Sequence, residues 1–172
     1  MQRSVRTLHK WRCTMRYNKL TTLAAIAIAA TGCSSGGSTG GLDVEQSYII
    51  ALTSASEVPT PKPTTASGTA TVLVYPARID FELAAANMTG IRMAHIHSGA
   101  VGVAGPIVVT LYAPATASDL VNGVFVTGSL NAANLPSGVT LESLKTLLLS
   151  GNAYVNVHTV VNPTGEIRGQ LR

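Results

Sequence analysis

The chain has 172 residues, enough for one domain with appended segments, and its aromatic fraction of 5% means that a core must be built mainly from aliphatic side chains. Six of its 12 Lys and Arg residues precede Cys33, where no acidic residue occurs, so the formal net charge of +4 comes from the N-terminal segment. The remainder has six basic and eight acidic residues, a net charge of −2, and it shows no basic stripe of the kind expected of a nucleic-acid-binding protein.

The N-terminal segment has the pattern of a secretory signal peptide. Basic residues precede the apolar run LTTLAAIAIAA at residues 20–30, which is shorter than the roughly 20 residues that a membrane-spanning helix needs. The sequence ATGC at residues 30–33 resembles the lipobox of bacterial lipoprotein signals, with Ala30 where Leu is more usual. We therefore expect residues 1–33 to be a signal peptide with Cys33 as the lipidation site. Several acyl chains on this cysteine would anchor the protein to the membrane of the cell envelope, at the outer membrane or periplasmic side in a Gram-negative host.

Two alternatives for this segment are an ordinary secretory signal, in which Cys33 has no role, and a retained membrane helix. A start at Met15 would give a leader of ordinary length, so we expect residues 1–14 to be an extension that precedes the true start codon. Residues 34–45 begin with SSGGSTGG, which has no apolar group to bury and predicts a flexible tether.

Alternating apolar and polar residues recur from about residue 46 in short runs separated by Gly, Pro, Asn and Asp. This period-two alternation is typical of β-strands. It predicts eight strands, at Ser47–Thr53, Gly68–Tyr75, Arg78–Leu83, Ile91–His97, Ile107–Tyr112, Gly123–Gly128, Ala153–Thr159 and Glu166–Leu171. Pro59, Pro61 and Pro63 predict an extended loop after the first strand, because proline cannot pair within a central strand.

One helix is predicted between the sixth and seventh strands. Thr140 can cap it, Glu142 suits its first turn, and Gly151 can end it. Its apolar stripe consists of Leu141, Leu144, Leu147 and Leu148. Eight short strands with one short inserted helix predict an all-β domain at residues 46–172, folded as an antiparallel Greek-key sandwich or barrel.

The domain has three histidines, and their spacing predicts a shared site. His95 and His97 lie two residues apart on one strand and therefore point to the same face, with Met93 beside them. His158 lies on the face of its strand opposite Val155 and Val157, which we assign to the core. We expect all three histidines on an outward face, and three imidazoles converge there if the two strands are neighbours.

Three converging imidazoles suit copper, zinc, iron or nickel, and Met93 as an additional soft ligand would favour copper. The alternative is that the histidines are exposed structural residues whose hydrogen bonds to loop backbone hold residues 99–106 against the sheet.

Three pairs of segments resemble the signatures of the CHRD domain, the module named after chordin. AHIHSGA with GVAGP at residues 94–106 resembles its first signature, and YVNVHT with NPTGEIRGQL at residues 154–171 resembles its second. ASEVP and ASGTA at residues 55–70 resemble its opening. Chordin is an extracellular signalling antagonist, and bacterial members are secreted or anchored proteins, so the resemblance implies a β domain outside the cytoplasm.

A more distant similarity is to copper/zinc superoxide dismutase, whose H-x-H pair and late-strand histidine ligate copper outside a Greek-key barrel. This similarity implies that His95, His97 and His158 are copper ligands, and Arg168 lies closer to His158 than the dismutase's active-site arginine would. The dismutase also has a bridging histidine and a zinc-binding loop, and the domain has no fourth histidine. The comparison therefore favours copper binding over dismutation.

The sequence thus predicts a non-enzymatic, envelope-anchored domain that binds or handles copper through His95, His97 and His158, with loop support from Asn156, Glu166 and Arg168. The second interpretation is an adhesion or protein-interaction module with structural histidines and an unidentified protein partner. The third is a redox enzyme of the dismutase type.

Overall fold

The structure is a computed structural model, and it describes residues 43–172. The predicted signal peptide, Cys33 and most of the predicted tether lie outside the described residues. Within residues 43–172, no helix is both long and apolar enough to cross a membrane.

The described chain is an all-β domain with one α-helix, as the sequence predicts. Its strands are β1 Gln46–Thr53, β2 Ser67–Val74, β3 Ile79–Met88, β4 Ile91–Ser98, β5 Ile107–Tyr112, β6 Val121–Leu130, β7 Ala153–Thr159 and β8 Ile167–Leu171. A short 3₁₀ helix, Ser54–Ser56, follows β1, and the α-helix α1, Leu141–Leu149, separates β6 from β7.

The eight strands form one antiparallel sheet in the order β5-β4-β7-β8-β1-β2-β3-β6. The crossovers from β3 to β4 and from β6 to β7 make this a Greek-key arrangement. The sheet curls into a nearly closed barrel, and the Tyr112 ring on β5 contacts the Phe125 ring on β6 edge to face, with centroids 5.3 Å apart. This architecture confirms the predicted fold class.

The interior of the barrel is aliphatic, as the composition requires. Alternate residues of each strand enter it, and the most deeply buried large side chains are Leu52, Ile79, Leu83, Met88, Ile91, Ile96, Leu144, Leu148, Ile167 and Leu171. Both β4 and β7 are central strands, and every residue of β7 is buried. Since only one of the two faces of β7 meets the aliphatic interior, something else must cover its other face.

The helix forms where the sequence predicts it. The Thr140 side chain accepts a hydrogen bond from the Ser143 amide, and the Ser143 side chain accepts one from the Thr140 amide, which completes a capping box. Leu144 and Leu148 are buried in the core, and Gly151 has the positive φ of 70° that commonly follows a helix.

Two strands are longer than predicted by more than one residue. The third strand continues past Leu83 to Met88, through three alanines that have low β propensity. The sixth strand begins at Val121 rather than Gly123, and it ends at Leu130 rather than Gly128. The added residues of each strand pair with the other strand, for example Ala84 with Val124, Met88 with Val121 and Leu130 with Ile79, so tertiary pairing here outweighs local propensity.

Candidate metal centre

The three histidines lie on β4 and β7, which are hydrogen-bonded neighbours. In the register of this pair, His95 is opposite Asn156, and Met93 is opposite His158. The intervening residues, Ala94, Ile96, Val155 and Val157, are part of the hydrophobic core. The histidines therefore occupy the face of the sheet that points away from the core, as the alternation predicts.

The expectation that this face is exposed is wrong. His95, His97 and His158 are only 3%, 8% and 7% exposed. The connections at residues 99–106 and 160–166 fold back over the outer face of β4 and β7, which strand alternation alone could not reveal. Gly105 permits the close approach, because a Cβ there would overlap the Ser98 carbonyl.

Hydrogen bonds to the covering loops fix the tautomer of two imidazole rings. His97 donates from Nδ1 to the Gly105 carbonyl at 2.9 Å, and His158 donates from Nδ1 to the Pro163 carbonyl at 3.1 Å. A carbonyl can only accept, so in each neutral ring the proton is on Nδ1 and the lone pair is on Nε2. This is the contact expected if histidines hold the loop, but it uses only one nitrogen of each ring.

The other ring nitrogens of the cluster are left without partners. Nε2 of His97, Nε2 of His158 and Nδ1 of His95 are each buried and make no hydrogen bond. Buried side-chain polar atoms in proteins are usually hydrogen-bonded, and an unsatisfied one costs roughly 1–3 kcal/mol. Three such atoms in one place therefore call for an explanation.

The spacing of the three rings suits a metal ion. One nitrogen from each histidine lies within 4.8 Å of the others. Nitrogens bound at a metal–nitrogen distance of about 2.0 Å in tetrahedral geometry lie about 3.3 Å apart, so binding requires each ring to move inward by about 1 Å or less. No carboxylate or thiol joins this group among the residues that the structure describes.

The imidazoles are held in the neutral form that metal binding requires. Burial, aided by the neighbouring His158 and His97, lowers the pKa of His95 from 6.5 to about 4. Burial also lowers the pKa of His97 and of His158, against the opposing effect of their loop hydrogen bonds. No proton has to be displaced from the free nitrogens at neutral pH.

Arg168 and Tyr154 support the loop over His97. The His97 ring stacks on the Tyr154 ring with centroids 4.8 Å apart and an interplanar angle of 10°. The Arg168 guanidinium carbon lies 3.4 Å from the centre of the same tyrosine ring. Nη2 of Arg168 also donates to the Val103 carbonyl at 2.9 Å and to the Ala100 carbonyl at 3.3 Å. Arg168, one of the predicted support residues, thus holds the covering loop at residues 99–106 in place.

Glu166 supports the covering loop at residues 160–166. Its carboxylate accepts hydrogen bonds from the Thr159 hydroxyl at 2.6 Å and the Thr64 hydroxyl at 2.7 Å. Although burial opposes it, these and other hydrogen bonds hold the pKa of Glu166 below its usual range. The carboxylate therefore stays charged and joins the proline-rich loop to the segment after β7.

Glu57 is a residue that the sequence reasoning did not assign to the site. It is 4% exposed, its Oε1 has no hydrogen-bond partner, and its Oε2 accepts a long hydrogen bond of 3.4 Å from Asn156. Burial raises the pKa of Glu57 from 4.5 to about 7. In the sequence, the one signal for Glu57 is its place in the ASEVP segment, which resembles the opening of the CHRD domain. Without that resemblance, a lone glutamate before a proline-rich loop has the pattern of a surface residue.

Met93 lies beside the cluster but is more exposed than the three histidines. It lies opposite His158 in the β4–β7 register and is 38% exposed. Together with His158 and Pro163 it lines a shallow cleft of about 230 Å³. Met93 therefore lies at the rim of the cluster.

Comparison with known proteins identifies the domain. The family model of the CHRD domain matches residues 48–171, which include the three histidines and all of the eight strands except the first two residues of β1. No curated protein and no solved structure matches the chain, so the similarity to copper/zinc superoxide dismutase stays a prediction. The chain belongs to the CHRD domain family.

Proposed function

We propose that this CHRD domain binds one transition-metal ion, copper by preference, through His95, His97 and His158. The observation that carries the proposal is the set of three buried ring nitrogens, one from each histidine, that have no hydrogen-bond partner. Nitrogens of the same three residues lie within 4.8 Å of one another. A single metal ion would satisfy all three, and imidazole is a ligand that copper accepts readily.

The loop hydrogen bonds strengthen the proposal. Metal-binding histidines commonly donate their second ring nitrogen to a carbonyl or carboxylate, which fixes the tautomer and the ring orientation. The Gly105 and Pro163 carbonyls act in this way on His97 and His158. The cluster thus has both the ligand atoms and the outer support of a preorganised site.

A second candidate is an interaction module in which the histidines are structural. The same two loop hydrogen bonds favour it, because they join the loops to the sheet without any metal. It leaves the buried Nδ1 of His95 unexplained, however, because that nitrogen has no hydrogen-bond partner. Metal binding accounts for all three rings.

A binding or handling role fits the site better than turnover of a substrate. Each free nitrogen is buried beneath the loops at residues 99–106 and 160–166. A redox enzyme of the dismutase type needs an open position at the metal for its substrate. An activity assay on the copper-loaded protein distinguishes the two, and we expect no activity above that of free copper.

The direct test is copper titration of the full chain, purified in a mild detergent. The matched control is the triple variant His95→Gln, His97→Gln, His158→Gln, which keeps Cys13, Cys33 and His9 as background ligands. We expect the unmodified chain to bind one more equivalent of copper than the control, and copper to raise the melting temperature of the unmodified chain only. Equal stoichiometry and equal melting behaviour would end the metal proposal.

We propose further that the domain is held at the cell envelope by lipid on Cys33. The lipobox-like ATGC segment after an apolar run of signal-peptide length supports this. Radiolabelled palmitate should be incorporated in cells that express the unmodified chain and not in cells that express Cys33→Ala. Equal labelling of both would contradict the anchor.

A further inference from the structure

We infer that the three-histidine cluster is built for monovalent copper, Cu⁺, and discriminates against Cu²⁺ and Zn²⁺. The inference rests on the proposed function, because it concerns which ion the same three nitrogens select. Ordinary imidazole sites favour Cu²⁺ over the other divalent first-row metals, so a preference for Cu⁺ would be a property of this particular environment.

The first argument is charge. The described ligand set is three neutral imidazoles with no carboxylate or thiol among them, and the nearby buried carboxyl of Glu57 bonds Asn156 rather than a histidine. Glu166 is engaged with the hydroxyls of Thr64 and Thr159, and the positive charge of Arg168 acts on His97. The cost of transferring an ion from water into a buried site grows with the square of its charge, so a dication is penalised about four times as heavily as a monocation.

The second argument is coordination number. Zn²⁺ in proteins takes a fourth ligand, which is either a further side chain or a water molecule. The cluster offers three nitrogens, each buried beneath the covering loops. Cu⁺ has a filled d shell and is stable with three nitrogen ligands, so it alone among these ions is satisfied by what the cluster supplies.

The third argument is the nature of the neighbouring donor. Met93 lies at the rim of the cluster, opposite His158. A thioether is a soft ligand that binds Cu⁺ and contributes little to Zn²⁺. A soft donor beside the cluster therefore favours Cu⁺ over Zn²⁺.

The test is an anaerobic competition experiment on the full chain in detergent. Cu⁺, added as its acetonitrile complex, is partitioned against a chromogenic Cu⁺ chelator, and Zn²⁺ and Cu²⁺ are measured against chelators of their own. Binding by the triple Gln variant is subtracted in each case to remove the contribution of the cysteines and His9. We expect the affinity for Cu⁺ to exceed that for Zn²⁺ and for Cu²⁺ by at least about 100-fold.

A reversal variant makes the charge argument falsifiable. His95→Asp exchanges one neutral ligand for an anionic one at the same position, and we expect it to shift the Zn²⁺ to Cu⁺ affinity ratio toward Zn²⁺ by at least about tenfold. X-ray absorption of the Cu⁺-loaded unmodified chain should show three nitrogen ligands near 2.0 Å and no water.

The outcomes separate this inference from the proposed function. Histidine-dependent binding of Zn²⁺ or Cu²⁺ as tight as that of Cu⁺ would overturn the Cu⁺ preference and leave the metal site standing. A bound water in the spectrum of the unmodified chain would also overturn it. The absence of histidine-dependent binding of any of the three ions would remove both proposals. If His95→Asp fails to fold, the competition on the unmodified chain decides the question alone.

Discussion

The buried carboxyl of Glu57 makes the stability of the domain depend on pH in a direction that can be measured. Burial raises its pKa in the folded state to about 7, from 4.5 in the unfolded chain. Because the folded state holds this proton more tightly, the carboxyl favours folding at low pH, and that advantage is lost as the pH rises from 4.5 to about 7. Between pH 5 and pH 8 these two pKa values correspond to a loss of about 2 kcal/mol in the free energy of unfolding.

The substitution Glu57→Gln keeps the shape of the side chain and removes its ionisation. The new amide can also donate to Oδ1 of Asn156, which is buried without a partner. We expect the variant to gain stability relative to the unmodified chain by about 2 kcal/mol more at pH 8 than at pH 5. The comparison cancels the pH dependence of all other groups.

The assay is urea unfolding of the metal-free full chain at both pH values, followed by circular dichroism. The control is Glu82→Gln, which makes the same substitution at an exposed carboxyl on β3. The reasoning would be refuted if the gain in the free energy of unfolding from Glu57→Gln were independent of pH or shrank as the pH rises.

Three further predictions follow from the site. Because the pKa values of the three histidines are lowered in the folded state, the unfolded chain binds more protons at these residues below about pH 6.5, and the contribution of the histidines to stability should fall as the pH drops. On acidification the unmodified metal-free chain should therefore lose stability relative to the triple Gln variant, in which Glu57 is unchanged. Gly165→Ala should cost at least about 2 kcal/mol in urea unfolding, because φ is 126° and a Cβ would lie 2.6 Å from the Asn156 side chain. Arg168→Gln should speed hydrogen exchange of the Gly105 amide at least about tenfold, because it removes the charged donor that bonds the Ala100 and Val103 carbonyls of the covering loop.

Each of these has its own contradicting result. If the free energy of unfolding changed with acidic pH in the same way in the unmodified chain and the triple Gln variant, the histidines would not form a buried, neutral cluster. Gly102→Ala shares a positive φ of 74° but meets nothing within 4 Å, so an equal loss at both glycines would remove the crowding argument. Unchanged protection of Gly105 in Arg168→Gln would mean that the loop is held by other contacts.

The parts of the fold that depend on local chemistry could be predicted from the sequence. Thr140, Glu142 and the leucine stripe specify α1 within a dozen residues, and alternation along β4 and β7 places the histidines opposite the core. The predicted convergence of the histidines required β4 and β7 to be neighbours, which the sequence alone could not establish. The register of β4 with β7 meets that condition.

The burial of the cluster could not be predicted, because it depends on contacts between distant segments. Arg168 fixes the loop over His97 through the Val103 carbonyl, 65 residues away in the sequence. Glu57 contacts Asn156 across 99 residues. A histidine on the outer face of a strand has the pattern of an exposed residue, and only the folded chain shows that loops cover it.

The ring nitrogens themselves provide the most direct test of the metal site. Long-range ¹H–¹⁵N NMR of the full chain, with and without one equivalent of Cu⁺, reports the protonation and coordination of each nitrogen separately. We predict that Cu⁺ shifts Nε2 of His97, Nε2 of His158 and Nδ1 of His95 together, while the Nδ1 protons of His97 and His158 stay in place. Spectra in which these nitrogens do not respond, or in which only one or two of them do, would contradict a three-histidine site.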